Sequence, residues 1–363
     1  MSDTKTVQIP LGSQHIALLE PVAFTFQTQN ERIIAVDADV GFVHRGVERA
    51  CASTFTFDQV ATVVARVCGL CAITHSTSYV LAVEELLGVS MTPRIAYLRM
   101  LMVELDRIHS HMLCLAHTAE NAGFEALFMQ IMHEREIVMR LQESITGNRV
   151  QFDYVTIGGV NRDIDAMVAA HVDSELSRLR EKIEHLYGLF DTNITLSRRY
   201  QGIGVLSLED AMKLNALGPI ARASGLAIDV RSQTSTFPYH EVGYAIQTHT
   251  AGDIDARNRV RLAEIFNSIE MSQNIVRNIP EGEIIQKVRG KPNGQAIVRI
   301  EAPRGEIFYL VRGSGNKILD RVRIKTPTFS TIPAMIRTFE GSMYADAPAI
   351  LASFDPCMSC TAK

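Results

Sequence analysis

No run of about 18 or more apolar residues occurs in this chain of 363 residues, so nothing in it is expected to span a bilayer. No basic segment followed by an apolar one stands at the start, so a secretory signal is not expected. No Lys/Arg tract stands out and the net charge is −4, which speaks against a nucleic-acid partner. Proline is scarce, at 12 residues, while 47% of the chain is hydrophobic; a disordered polymer is thereby excluded and a substantial core provided for. Internal repeats, low-complexity segments and recognisable linkers are absent. Cysteine is sparse as well, at six. Such a count suits reduced thiols in a cytoplasmic setting better than a disulfide framework. Cys51 and Cys114 stand singly and read as buried small apolar residues.

The other four cysteines form two Cys-x-x-Cys pairs, Cys68 with Cys71 and Cys357 with Cys360. A two-residue spacing turns both sulfurs toward one point, so each pair is a two-toothed metal clamp. Four thiolates suit zinc, an iron–sulfur cluster or another thiophilic transition metal. The pairs lie roughly 290 residues apart, whereas those of a zinc ribbon are usually about 15–20 apart. A site closed over such a distance must be assembled by the tertiary fold, which suggests a reactive centre. A four-thiolate zinc site and two separate redox dithiols are the alternatives.

Hydrophobic periodicity predicts an α+β chain that is mostly α. A hairpin is expected from 16–26 and 32–39 around a turn at 27–31. Helices are expected over 57–66, 74–87, 94–119, 126–144, 164–189, 208–215 and 255–278. Gly88 serves as a C-cap and Pro93 as a first-turn residue. From 295 to 325 the pattern alternates and is β-branched, predicting a small antiparallel sheet. Short helices at 331–338 and 348–352 precede the last clamp. Because one site needs both clamps, residues 1–363 are expected to form a single domain.

The flanks narrow the chemistry. Arg66-x-Cys68-Gly-x-Cys71-x-x-x-His75 and Asp355-Pro-Cys357-x-x-Cys360 resemble the signature pair of the large catalytic subunit of nickel–iron hydrogenases. The segments Gly12–His15 with Glu20-Pro21, Gly41–Glu48, Ile157–Asp163 and Glu301–Gly305 are similar to the energy-converting, membrane-associated branch of that family. They also resemble the large peripheral subunit of respiratory complex I, which lacks the cysteines. Within the branch the chain looks most like the CO-induced type.

That resemblance implies a nickel–iron centre whose iron carries CO and cyanide ligands. Cys68 and Cys357 would be terminal on nickel; Cys71 and Cys360 would bridge the metals. With only two spare cysteines the chain cannot hold its own cubane, which takes four. An iron–sulfur small subunit is therefore expected as partner, with membrane ion-translocating subunits and, indirectly, a ferredoxin-type electron carrier. The expected place is peripheral, on the cytoplasmic side of the cell membrane. The competing function is a non-catalytic, complex-I-like structural subunit with a four-cysteine zinc site.

Four further residues carry two readings each. Glu20 is either an exposed strand-end glutamate or, by the resemblance, a proton relay beside the metal. Arg304 is either a solvated turn arginine or a cation placed over the metals. His75, one helical turn after Cys71, can reach back to a thiolate with a hydrogen bond. Asp355 either closes its own turn or holds Arg304. His109, His111 and His117 are read as core or interface groups. Two departures from the family are expected. Ser110 stands where an aspartate is common, and Lys363 where His or Arg usually precedes a cleaved tail.

Overall fold

The computed structural model describes residues 5–15, 18–151 and 153–363; the chain is mostly α-helical, with small antiparallel sheets. Near the start, strands Val7–Leu11, Ala23–Gln29 and Arg32–Asp39 pair antiparallel in chain order. The expected hairpin is present with two corrections. Its first arm begins at Ala23, not Ile16; Ile16 and Ala17 lie outside the described residues. Its turn is tighter than 27–31, because Asn30 and Glu31 both take left-handed conformations (φ 49° and 65°). Such a two-residue turn follows the twist of the flanking strands and leaves Gln27–Gln29 paired. Strand Val7–Leu11 was not legible beforehand. It contains Pro10, which a sheet edge tolerates.

Helix Pro93–Asn121 is the axis of the molecule. The Thr92 hydroxyl accepts from the Ile95 amide, and Pro93 occupies the first turn, where a missing N–H costs nothing. Every residue from Ile95 to Met112 is buried. Helices Glu125–Thr146, Ile254–Arg277 and Ala347–Phe354 surround it, and Ala166–Thr192 packs outside them. Leu98, Leu101, Leu105 and Ile108 are wholly shielded. Each contributes about 1.5–3 kcal/mol of apolar burial.

A helix buried on all sides must pair its polar groups. Arg99 does so with two hydrogen bonds to Glu84, at 2.8 and 2.7 Å, and two more to the Thr156 and Gly159 carbonyls. This ties Pro93–Asn121 to helix Ala72–Leu87, the element that follows the first clamp.

Strands Asn293–Ala302, Gly305–Ser314 and Arg321–Lys325 form the expected second sheet, an antiparallel meander against Ala72–Leu87. Ala302 pairs with Gly305, so the tight turn between the first two strands consists of Pro303 and Arg304. Helices Pro327–Phe339, Ala347–Phe354 and Met358–Ala362 carry the last clamp back inward. The unforeseen helices Ile194–Tyr200 and Gly218–Ala223 are too short to display a 3.6-residue period.

Candidate metal centre

Each clamp is shaped by its own backbone. At the first, the amides of Leu70 and Cys71 donate to the Cys68 sulfur, at 3.2 and 3.4 Å. Cys71 then caps helix Ala72–Leu87. At the second, Asp355 ends helix Ala347–Phe354 in the left-handed conformation (φ 49°, ψ 43°), which reverses the chain into Pro356. The Thr328 hydroxyl accepts from the Cys357 amide at 3.1 Å, and that of Thr326 donates to the Cys360 carbonyl at 3.0 Å.

The fold brings the two clamps together. The Cys68 and Cys357 sulfurs lie 3.5 Å apart, and those of Cys71 and Cys360 lie 3.8 Å apart. The sulfurs of Cys68, Cys71 and Cys360 all fall within 4.8 Å of one another. All four cysteines are buried, as are Cys51 and Cys114. Separate dithiols would require no such meeting.

Arg304 enters from the turn of the second sheet. Its Nη2 donates to Asp355 Oδ1 at 2.7 Å, its Nε to the Asp355 carbonyl at 2.5 Å, and its Nη1 to the Ser110 hydroxyl at 3.3 Å. Arg304 is thus buried, not solvated. Asp355 faces it across the chain instead of closing its own turn. Ser110 does stand beside the guanidinium, and the carboxylate there comes from Asp355. Burial opposes the charge on Arg304, yet Asp355 and the Cys357, Cys68 and Cys71 sulfurs hold it firmly cationic.

His75 spans 3.4 Å from Nε2 to the Cys360 sulfur and 2.7 Å from Nδ1 to the Tyr309 hydroxyl. Burial draws its pKa down to about 4. A neutral ring that accepts the tyrosine hydroxyl at Nδ1 presents its other N–H to the Cys360 sulfur. Glu20 is half-buried, outside any strand, and its carboxylate accepts from the Ser359 amide at 2.9 Å. It lines a recess with Cys114, His117, Asp355 and Met358.

His109 and His111 lie in the core against Asp106 and Glu264, at 3.1 and 2.8 Å, and the half-buried His117 meets Glu120 at 3.0 Å. None of the three is brought to the sulfurs.

One residue with a part in closing this site escaped the sequence reading. The Arg45 guanidinium donates to the carbonyls of Arg66 and Val67 at the first clamp, at 3.0 and 2.8 Å, and to that of Ser359 at the second, at 3.0 Å. The amides of Arg45 and Gly46 both donate to the Lys363 carbonyl at 3.1 Å. Arg45 stood inside a recognised segment, but a side chain that bonds only carbonyls leaves no spacing to read.

Hydrogen bonding from its neighbours, Cys357 foremost, holds the Cys68 thiol well below the usual range. Cys360 is pushed well above it, first by its bond to Cys357 and also by burial. Four buried thiols cannot ionise together without a cation among them. The donor set, all sulfur and closed to bulk water, fits a thiophilic metal centre.

Known proteins resemble this chain in sequence and in fold. Residues 121–290 and 287–363 match the family described as "Respiratory-chain NADH dehydrogenase, 49 Kd subunit", and residues 45–119 match "Nickel-dependent hydrogenase". The chain is 34% identical to the carbon monoxide-induced hydrogenase of Rhodospirillum rubrum over 99% of both chains. It is 33% identical to the membrane-bound hydrogenase subunit alpha of Pyrococcus furiosus, over 98% of this chain and 87% of the relative. A chain of the membrane-bound sulfane sulfur reductase, an archaeal respiratory membrane complex, shares the fold with a TM-score of 0.93 and 26% identity over 100% of both chains.

Proposed function

The chain belongs to the family that unites nickel-dependent hydrogenases with the 49 kDa subunit of respiratory-chain NADH dehydrogenase, and from that premise we propose that it is the catalytic subunit of a membrane-associated hydrogenase. The observation that carries this reading is the meeting of four buried cysteine sulfurs from opposite ends of the chain. Cys68, Cys71, Cys357 and Cys360 would hold a nickel–iron centre, with Cys68 and Cys357 on nickel and Cys71 and Cys360 shared with iron. That centre, when bound, supplies the site at which hydrogen is formed or split. The iron's CO and cyanide ligands belong to the same reading.

The remaining roles fall to the chain itself. Arg304, fixed by Asp355, sets a positive charge beside the sulfurs that stabilises negative charge developing there. His75 donates to the Cys360 thiolate and is held in that orientation by Tyr309. Glu20 borders the second clamp and a recess and moves protons between them. Electrons reach the site through an iron–sulfur small subunit, fed in turn from a ferredoxin-type carrier. Ion-translocating membrane subunits anchor the assembly, with this chain on the cytoplasmic side. No helix among the described residues is long and apolar enough to cross a membrane.

Hydrogen–deuterium exchange in the purified complex tests the reading. Parent protein supplied with H2 in D2O should release HD. Glu20→Gln should keep its metals and lose exchange at least tenfold. A parent complex with full metal content and no exchange would overturn the proposed activity.

A further inference from the structure

A second group of buried charges has no part in the account above. It lies where helices Pro93–Asn121 and Ile254–Arg277 meet strand Asn293–Ala302 and the segment around Asp229. Glu104, Asp229, Glu264 and Glu301 bring four carboxylates; Arg107, Arg222 and Arg231 bring three guanidiniums. All seven side chains are buried. Full ionisation would therefore leave four buried carboxylates sharing three bonded guanidiniums, which disfavours the fourth negative charge.

Among the described residues no neighbouring group bonds these carboxylates as a fourth cation. His111 bonds Glu264, but burial draws its pKa down to about 4 and leaves it neutral. Arg261, one turn before Glu264, is a buried cation near the cluster, but it donates to the Arg257 carbonyl and forms no ion pair with the four carboxylates among the described residues. Tyr239 and Ser268 both donate hydroxyls to Glu104, which also receives Arg107 and Arg231. Asp229 receives the Arg231 guanidinium twice, the Arg231 amide once and Arg222 once, and Glu264 receives Arg222 as well as His111. Glu301 is the most weakly held of the four, with one arginine Nη at 2.9 Å and the Val230 amide at 3.1 Å. It also lines a recess with Arg231, Thr234, Thr236 and Tyr239, which shares no lining residue with the recess at Glu20.

We propose that this cluster is a proton-binding site separate from the metal centre, taking one proton from the recess at Thr234 and Thr236 and holding it on Glu301. Four carboxylates on three bonded guanidiniums leave room for one proton, and the poorer donor set of Glu301 sets the place. Burial, followed by the charge of Asp229, pushes the Glu301 pKa up to about 7, against the pull of Arg222, Arg107 and Arg231. Glu301 stands three residues before Arg304 in one hairpin, and Arg107 bonds the Glu301 and Ala302 carbonyls between them. For a hydrogenase this is a proton store beside the catalytic turn. That use rests on the reading above; the proton site itself does not.

Infrared difference spectra of the purified complex, recorded with carboxyl-13C-labelled glutamate or aspartate, test the proposal. A protonated-carboxyl band should bleach as the pH rises through about 7. It should shift with labelled glutamate and stay put with labelled aspartate, and it should account for one proton per chain. Glu301→Gln should abolish it and Glu20→Gln should retain it. Asp229→Asn, which removes the negative charge beside Glu301, should move the titration at least tenfold in proton concentration toward acid. A band that is missing, that follows the aspartate label, that survives Glu301→Gln or that disappears in Glu20→Gln would overturn the assignment. Because loss of HD exchange leaves this band untouched, failure of the hydrogenase reading and failure of the proton site are separately visible.

Discussion

Gly218 lies against the carbonyl of Arg304 so closely that a β-carbon there would sit 2.3 Å from the oxygen. Its backbone is also left-handed (φ +61°), a conformation only glycine adopts freely. The contact is reciprocal, since a β-carbon on Gly305 would meet the Gly218 amide at 2.9 Å. Two glycine backbones thus set the depth at which Arg304 reaches toward the sulfurs. Gly218→Ala is expected to cost about 2–3 kcal/mol, from conformational strain and overpacking together. Thermal unfolding measures that loss. The larger effect should be on the site, with activity falling further than the loss of folded protein explains.

Arg45 holds the two clamps to each other by carbonyl bonds alone. Arg45→Ala should loosen the segment 355–363 without unfolding the helices. Backbone deuterium uptake there is expected to rise roughly tenfold, for about 1–2 kcal/mol of lost hydrogen bonding at a partly solvated site. Arg45→Lys should rescue little, because an ammonium cannot span three carbonyls in a fixed fork. Uptake unchanged in both variants would make Arg45 incidental to the site.

The depressed pKa of His111 predicts a pH dependence with a definite sign. The unfolded chain takes a proton on this residue at about 6.5, whereas the folded chain resists until about 4. Its contribution to stability is therefore complete above pH 6.5 and declines as the pH falls toward 4. Glu301, with its raised pKa, acts in the opposite sense, losing stability as pH rises toward about 7, so the comparison must be made against a His111→Asn variant. Denaturant unfolding should show the parent's advantage over that variant shrinking by about 2 kcal/mol between pH 7 and pH 5. A constant difference would mean that His111 takes up its proton in the fold at the same pH as in the unfolded chain.

Much of this architecture was legible because the signals were periodic or local. The long helices announced themselves by apolar spacing, as did the sheet at 293–325, and both clamps were visible as two-residue spacings. The hairpin turn was misplaced because strand pairing extended to Gln29 once Asn30 and Glu31 turned left-handed. The role of Arg45 was hidden for a different reason. Its partners beyond its own loop are three carbonyls drawn from both ends of the chain, and every residue type supplies a carbonyl. The charge cluster around Glu301 was equally hidden, since ordinary Asp, Glu and Arg residues on five separate segments become a unit only when folding buries them together. The resemblance to hydrogenases supplied roles for the cysteines that spacing alone left open.

Metal analysis of the purified complex, with infrared spectra of the same sample, tests the central claim most directly. The account predicts nickel and iron together, at about one of each per chain on the four-sulfur site. Bands from carbon monoxide and cyanide bound to iron should accompany them. Replacing any of Cys68, Cys71, Cys357 or Cys360 with Ser should deplete the nickel. Zinc at one per chain, with no nickel and no diatomic-ligand bands, would contradict the account and leave a four-cysteine structural site.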